Sequence, residues 1–429
     1  MSEKTLAVVG ADVWPGHGPD MLPDQTIVAA DGVITAVGPR ESTPVPVGAR
    51  VIDAAGKYVI PGLADAHVHL TTNADESHYG PWSQFLNERT VQEMALHGIR
   101  NGLRALTTGF TTLRVMGIRG AGEPELRDFT AKGLLPGPRL FVTPWWVSMT
   151  NGHGDLFYPK HHPRWEWDTA DGPDQCRQLV RILAREGADF IKVMASGGLL
   201  SAGDKASWPN YTVEELKAIV DEAHAMDLKV AAHATGLAGL RRALEAGVDS
   251  IEHGTFLEEA EAAQMAETGT VLVPTLAITD AFTGDVGGVK PELAAKARAV
   301  VERHRSGFQF ALDAGVKIAM GTDSGDHVAP FGEQAREFEL YCEHGMKPYE
   351  ALETATLATA ELFDRTGELG LVAAGSVADL VVLEQNPLDD ITALRAPGGI
   401  INVVKDGVDY TALLGLSFET EPLRVPPMN

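Results

Sequence analysis

Four histidines, a lysine and an aspartate stand at the ends of successive strand-like segments. They are His67 and His69 in ADAHVHL, Lys192 in DFIKVMASGG, His233 in VAAHATG, His253 in SIEHGT and Asp323 in IAMGTDSG. Side chains along a strand alternate between its two faces, so an HxH pair sends both imidazoles to one side, where two nitrogens can meet one cation. The ordinary alternative for any single one of these histidines is a buried ring that satisfies a hydrogen bond. Taken together in this order, the six residues are candidate metal ligands.

The elements that must position them can be read from the alternation of short apolar runs with amphipathic stretches. Eight strand candidates follow Val59: VIPGLADAHVHL, FTTLRVM, RLFVTP, DFIKVMAS, KVAAHAT, SIEHGT, TVLVPTL and KIAMGTDS. Between them, Val91, Met94, Ala95, Ile99, Leu103 and Leu106 repeat at helical spacing, and TVEELKAIVDEAHAM opens on a capping-box pattern from Thr212 to Glu215. Eight such alternations predict an α/β fold, a parallel (β/α)8 TIM barrel spanning 58–368, whose active site lies where its strands end. All six candidates fall there, at the ends of the first, fourth, fifth, sixth and eighth strands. No GxGxxG follows the first strand, so a dinucleotide-binding sheet is disfavoured. Residues 1–57 and 369–429 read as short alternating strands broken by Gly, Asp and Pro, and are expected to pair as a small β-sandwich domain. The Gly-rich residues between Ile278 and Lys290 are expected to form a loop over the barrel mouth.

Composition narrows the partners. The 429 residues carry 59 acidic against 35 basic side chains, a formal charge of −24, which argues against nucleic acid and anionic membranes. Cys176 and Cys342 are far apart in sequence and outside any CxxC spacing, so neither a disulfide framework nor a thiolate zinc site is expected. The N-terminus lacks a basic then apolar leader pattern, and no apolar run approaches the roughly 20 residues that span a bilayer. A cytoplasmic protein with a small-molecule substrate is the expectation.

With these motifs in hand, nearly the whole chain resembles the amidohydrolase superfamily. The combination of HxH, strand-four Lys, two later His and a final Asp is similar to its binuclear subtype. That resemblance implies two divalent ions, His67, His69 and Asp323 holding the more buried one and His233 and His253 the more exposed. Lys192, carboxylated, would bridge them: an ammonium between two cations is repelled, whereas a carbamate offers two anionic oxygens. A lysine paired with Asp323 in a mononuclear site is the plainer alternative. Nitrogen and oxygen donors without thiolate suit Zn²⁺, with Mn²⁺ or Co²⁺ as substitutes. The implied reaction is attack on a carbonyl by a metal-bridged hydroxide, with Asp323 taking the proton and passing it to the leaving amine. Asp65 is either support for the ligands or an ordinary strand-end aspartate, and His327 is a further candidate for support. The remaining histidines, His304 among them, read as surface or structural residues.

The order KVMASGG, acidic helix, HATG and SIEHGT resembles the branch that holds prolidase-like and Xaa-Arg dipeptidases and ochratoxin-hydrolysing amidases. It implies a linear amide, a dipeptide or an N-acyl amino acid, as substrate. His153 in TNGHGD matches a position where a histidine hydrogen-bonds the substrate carbonyl or its oxyanion; a loop-stabilising histidine is the alternative. Trp145 and Trp146 are candidates for an aromatic wall or for packing, and Tyr211, Lys160 and Arg164 for binding a substrate carboxylate. LLSAGDKASWPNY departs from the Ser-Pro-Thr-Asp wording of prolidase-like members, which bears on dipeptide specificity and leaves the metals untouched. Relatives imply a homo-oligomer, an octamer among the assemblies open to it. The rival readings are a cyclic-amide hydrolase of the imidazolonepropionase or hydantoinase kind, a mononuclear deaminase and an inactive scaffold. Deaminases carry HAxE where this chain has His233-Ala234-Thr235-Gly236, and a scaffold would be expected to have lost a ligand.

Overall fold

The computed structural model describes residues 5–72, 89–118, 120–155, 169–199, 204–283, 291–325 and 328–414, with some side chains of 282–299 also left aside. Among the described residues five strands come first: β1 Thr5–Val13, β2 Leu22–Ala30, β3 Val33–Pro39, β4 Arg50–Asp53 and β5 Tyr58–Pro61. Seven strands follow in the barrel: β6 Leu63–Val68, β7 Phe110–Val115, β8 Arg139–Val142, β9 Ile191–Met194, β10 Val230–Ala234, β11 Ser250–His253 and β12 Val271–Val273. Three more come last among the described residues, β13 Leu380–Leu383, β14 Ile400–Lys405 and β15 Val408–Asp409.

β6, β7 and β8 pair in parallel, as do β9 to β12. A parallel bridge from Val147 to Val193 joins the two groups. The eighth position is held by residues 317–324, which bridge β12 at Leu272–Ile318 and β6 at Val68–Ser324. Asp323 donates its backbone N–H to His67 O at 2.8 Å, and His69 donates to Ser324 O at 2.7 Å, which closes the circle. Most barrel strands are buried throughout, as parallel strands covered by helices on the outside must be. The Thr212–Glu215 capping box forms as expected and starts the helix Val213–His224.

The chain's two ends share one eight-stranded sheet, in which β13 pairs antiparallel with β5 and β1 pairs with β2, β4 and β5. Side chains from seven of these strands, including Leu6, Ile27, Ile34, Ile52, Val59, Leu380 and Val404, meet in one apolar core. The stretch VIPGLADAHVHL, expected as one barrel strand, is divided at Gly62: Tyr58–Pro61 belongs to the terminal sheet and Leu63–Val68 to the barrel. A Cβ at Gly62 would lie 2.2 Å from Thr111 Oγ1. The seam therefore falls at Gly62 rather than after 57. Part of the expected mouth loop is helical, Leu276–Asp280 as an α-helix and Ala281–Thr283 as a 3-10 turn, and 284–290 lie outside the described residues. No helix among the described residues is long and apolar enough to cross a membrane.

Candidate metal centre

The strand ends bring the candidate ligands together. The imidazoles form a continuous set, with ring centroids 5.8 Å apart for His69 and His67, 4.9 Å for His67 and His253, and 4.7 Å for His253 and His233. Asp323 presents one oxygen, Oδ1, to His67 Nε2 at 3.4 Å and His69 Nε2 at 3.3 Å. Donor atoms of His67, His253 and Asp323 all lie within 4.8 Å of one another. Two of the candidate ligands reach this point through left-handed backbone, His253 at φ 69° and Asp323 at φ 60°. That conformation is uncommon outside glycine and costs on the order of 1 kcal/mol or more for a non-glycine residue, so the surrounding fold spends stability to aim these side chains.

Burial sets the protonation states. Loss of hydration pushes the rings of His69, His233 and His253 towards the neutral form, with Asp323 opposing it at His69 and His253. Asp323 behaves oppositely: burial disfavours its charge, but the imidazoles of His67, His69 and His253 hold the carboxyl well below the usual range. Lys192, buried on β9, is brought down to about 8 by desolvation, while Glu252 and Asp323 pull the other way.

His67 donates from Nδ1 to Glu252 Oε2 at 2.6 Å, which leaves Nε2 as the ring atom turned towards Asp323 Oδ1. Imidazole nitrogens and a carboxylate oxygen converging within 4.8 Å of one another are the donor set of a divalent-ion site. The residues present therefore fit a divalent ion.

Glu252 is a feature that the strand-end pattern did not reveal. It is fully buried, and its Oε1 accepts from Arg114 at 2.7 Å and from Ser250 at 2.6 Å. Burial opposes its charge, yet Arg114 and His67 keep it below the ordinary carboxylate range. His253 is braced on two sides. Its Nδ1 lies 2.8 Å from Thr275 Oγ1, and its carbonyl lies 2.9 Å from His304 Nε2. His304 is thus a buried brace. Asp65 also proves to be support: its carboxylate takes the backbone N–H groups of His67 and Thr322 and the Thr322 hydroxyl, tying β6 to the segment that carries Asp323. Burial pushes Asp65 up to about 6 against those hydrogen bonds.

His153 reaches the cluster from the loop after β8. Its ring stacks on His233 and its Nδ1 lies 3.0 Å from Asp204 Oδ2, which also accepts the Gly198 N–H. Trp146 packs edge-on to His69, with centroids 6.5 Å apart. Trp145 instead lines a groove of about 510 Å³ with Val91, Leu126, Phe129 and Leu135, and no candidate ligand borders that groove. Tyr211 is a correction: it is 1% exposed and its hydroxyl donates to Ala170 O at 3.2 Å, so it belongs to the core and not to a carboxylate pocket. Lys160, Arg164 and His327 lie outside the described residues.

Residues 58–408 match the amidohydrolase family. The chain belongs to that family. Membership makes the protein a hydrolase. The chain is 32% identical to the ochratoxinase of Aspergillus niger over 432 residues, which cover 94% of this chain and 86% of that protein. A crystal structure of a Xaa-Pro dipeptidase with methionine bound in the active site superposes at a TM-score of 0.86 with 31% identity, covering 95% of this chain and 99% of that one. The imidazolonepropionase of Symbiobacterium thermophilum is 27% identical over 405 residues, 90% of each chain.

Proposed function

We propose that this amidohydrolase cleaves a linear amide, a dipeptide or an N-acyl amino acid of the ochratoxin A type. It would do so with two divalent ions, zinc foremost, held by His67, His69, Asp323, His233, His253 and a carboxylated Lys192. The convergence of four buried or nearly buried imidazoles, one deeply acidic carboxylate and a buried lysine at the strand ends carries this reading. Similarity to an ochratoxinase and to a Xaa-Pro dipeptidase supports the substrate class.

Divalent ions in such a site supply Lewis-acid polarisation of a carbonyl and lower the pKa of water. The chain's own residues do the rest. Burial leaves Lys192 with a share of free amine near neutral pH, able to attack the carbon of CO₂ and release a proton, giving the carbamate. Asp323 stays a carboxylate through neutral pH, so Oδ1 can accept a proton from the attacking water and return it to the departing amine nitrogen. His153, held at Nδ1 by Asp204, would offer Nε2–H to the carbonyl oxygen as charge develops there.

The 27% identity to an imidazolonepropionase supports a cyclic amide as the second substrate class. A mass-resolved library of dipeptides, N-acyl amino acids, ochratoxin A and cyclic amides, incubated with zinc- and bicarbonate-loaded protein, separates the two. Release of a free C-terminal amino acid is expected. Ring opening alone, or release of ammonia, would overturn the linear-amide reading.

A further inference from the structure

The barrel interior between β6, β7 and β11 holds a charge pair that the proposed chemistry does not touch. Arg114 donates Nη2–H to Glu252 Oε1 at 2.7 Å, Nε–H to Ala66 O at 2.6 Å and Nη1–H to Ser250 Oγ at 3.3 Å. Its guanidinium also lies over the Phe190 ring, 5.2 Å from the centroid. Arg114 is 3% exposed and Glu252 fully buried. Taking both charges from water costs several kcal/mol per ion, and an apolar pair of equal volume would fill the same space at less cost. One hydrogen bond of this group reaches a candidate ligand. Glu252 Oε2 is spent on His67 Nδ1, the shortest contact that the His67 ring makes.

We infer that Arg114 and Glu252 form a positioning device for His67. Glu252 fixes the ring as the Nδ1–H tautomer with Nε2 facing Asp323, and Arg114, anchored to Ala66 O one residue before His67, keeps Glu252 in place. The geometry is specific. Glu252 Oε1 is already saturated by Arg114 and Ser250, so Oε2 has one partner and one direction. A wrong tautomer would set Nδ1 and Oε2 as two acceptors 2.6 Å apart and point an N–H at the cation position. The inference rests on the metal reading in one respect, that His67 Nε2 is a ligand.

The test uses full-length protein labelled with ¹⁵N-histidine, with two readouts: the tautomer of His67 in the chelator-stripped protein, assigned by loss of its signal in H67N, and zinc affinity by competition with a chromophoric chelator. The wild type is expected to show Nδ1–H at His67. E252Q is expected to mix tautomers and lose about 10- to 100-fold in zinc affinity, the usual cost of removing such an orienting partner. R114M/E252L removes both charges together and guards against misfolding caused by one orphaned ion. It is expected to fold with wild-type stability and the same loss of affinity. An Nε2–H signal for His67 in the wild type overturns the inference, as does an unchanged tautomer and affinity in either variant. If the wild type binds no zinc, the metal reading falls by itself, and the tautomer comparison still decides the positioning role.

Discussion

His153 lies flat against His233, with ring centroids 4.4 Å apart and planes inclined by 22°. Asp204 holds the outer ring from its other side, so His153 is fixed between a carboxylate and a candidate ligand. The two possible roles of that ring, donor to a developing oxyanion or prop for His233, differ in what its removal does. As an oxyanion donor, His153→Ala should lower kcat by about 10²- to 10³-fold with bound metal unchanged. Steady-state kinetics on the best amide substrate, with zinc quantified on the same sample, decide it. Loss of zinc in proportion to activity would assign the prop.

Metal removal makes a second prediction. A chelator should abolish turnover and lower the thermal midpoint, because an ion bound only by the folded state at 100 times its dissociation constant adds about 2.7 kcal/mol of stability. Zinc with bicarbonate should restore the wild type. It should not restore Lys192→Ala, which is expected to bind less zinc, or Asp323→Asn, which keeps the shape of the side chain and loses the proton acceptor. Full turnover in either variant removes that residue from the mechanism.

The corrected placement of Tyr211 is also testable. Tyr211→Phe deletes one buried hydrogen bond, to Ala170 O, and should cost about 1 kcal/mol of stability while leaving KM unchanged for every carboxylate-bearing substrate. A KM that rises tenfold on those substrates and not on their esters would return Tyr211 to the site.

What could be read from the sequence follows from how regular the backbone is. The clustering of the candidate ligands was legible because five of the eight expected strands end in a residue of a type that can bind metals or protons, and strand ends are where a barrel places its chemistry. Glu252 was not. Alternation along SIEHGT assigns Glu252 and His253 to opposite faces, yet both reach His67, by a 2.6 Å hydrogen bond and a 4.9 Å ring contact. The left-handed φ of His253 breaks the period, and no pattern of residue types announces that. The helix Val91–Thr107 was legible in its existence, and Met94 and Leu106 of its apolar repeat are buried, but the repeat does not cover the whole buried face. Val91 is exposed, and the buried positions include Gly98 and Gly102, where a Cβ would meet Leu126 at 2.7 Å and Pro138 at 3.2 Å. Apolar periodicity cannot find a face built from close approach. The terminal strands were legible as strands and as partners, whereas the break at Gly62 depends on the packing of Thr111, a residue 49 positions away.

Glu123 couples this architecture to pH. It begins the helix Glu123–Ala131, is fully buried, and accepts from the Thr71 hydroxyl at 2.9 Å and the Ile118 N–H at 3.0 Å, tying the loop after β6 to the loop after β7. Burial raises its carboxyl from 4.5 to about 8, with both hydrogen bonds resisting. A carboxyl whose folded pKa is raised binds its proton more tightly in the native state. Its contribution to stability is therefore full below about 4.5, shrinks as pH rises, and is gone above about 8. At about 1.36 kcal/mol per unit the ceiling is of order a few kcal/mol. Glu123→Gln holds the same shape without a proton to lose, so its urea midpoint should fall less between pH 5 and pH 9 than that of the wild type. The difference between the two curves isolates this one group from every other titrating residue. Parallel curves would mean that Glu123 stays ionised throughout, its charge held by Thr71 and Ile118 alone.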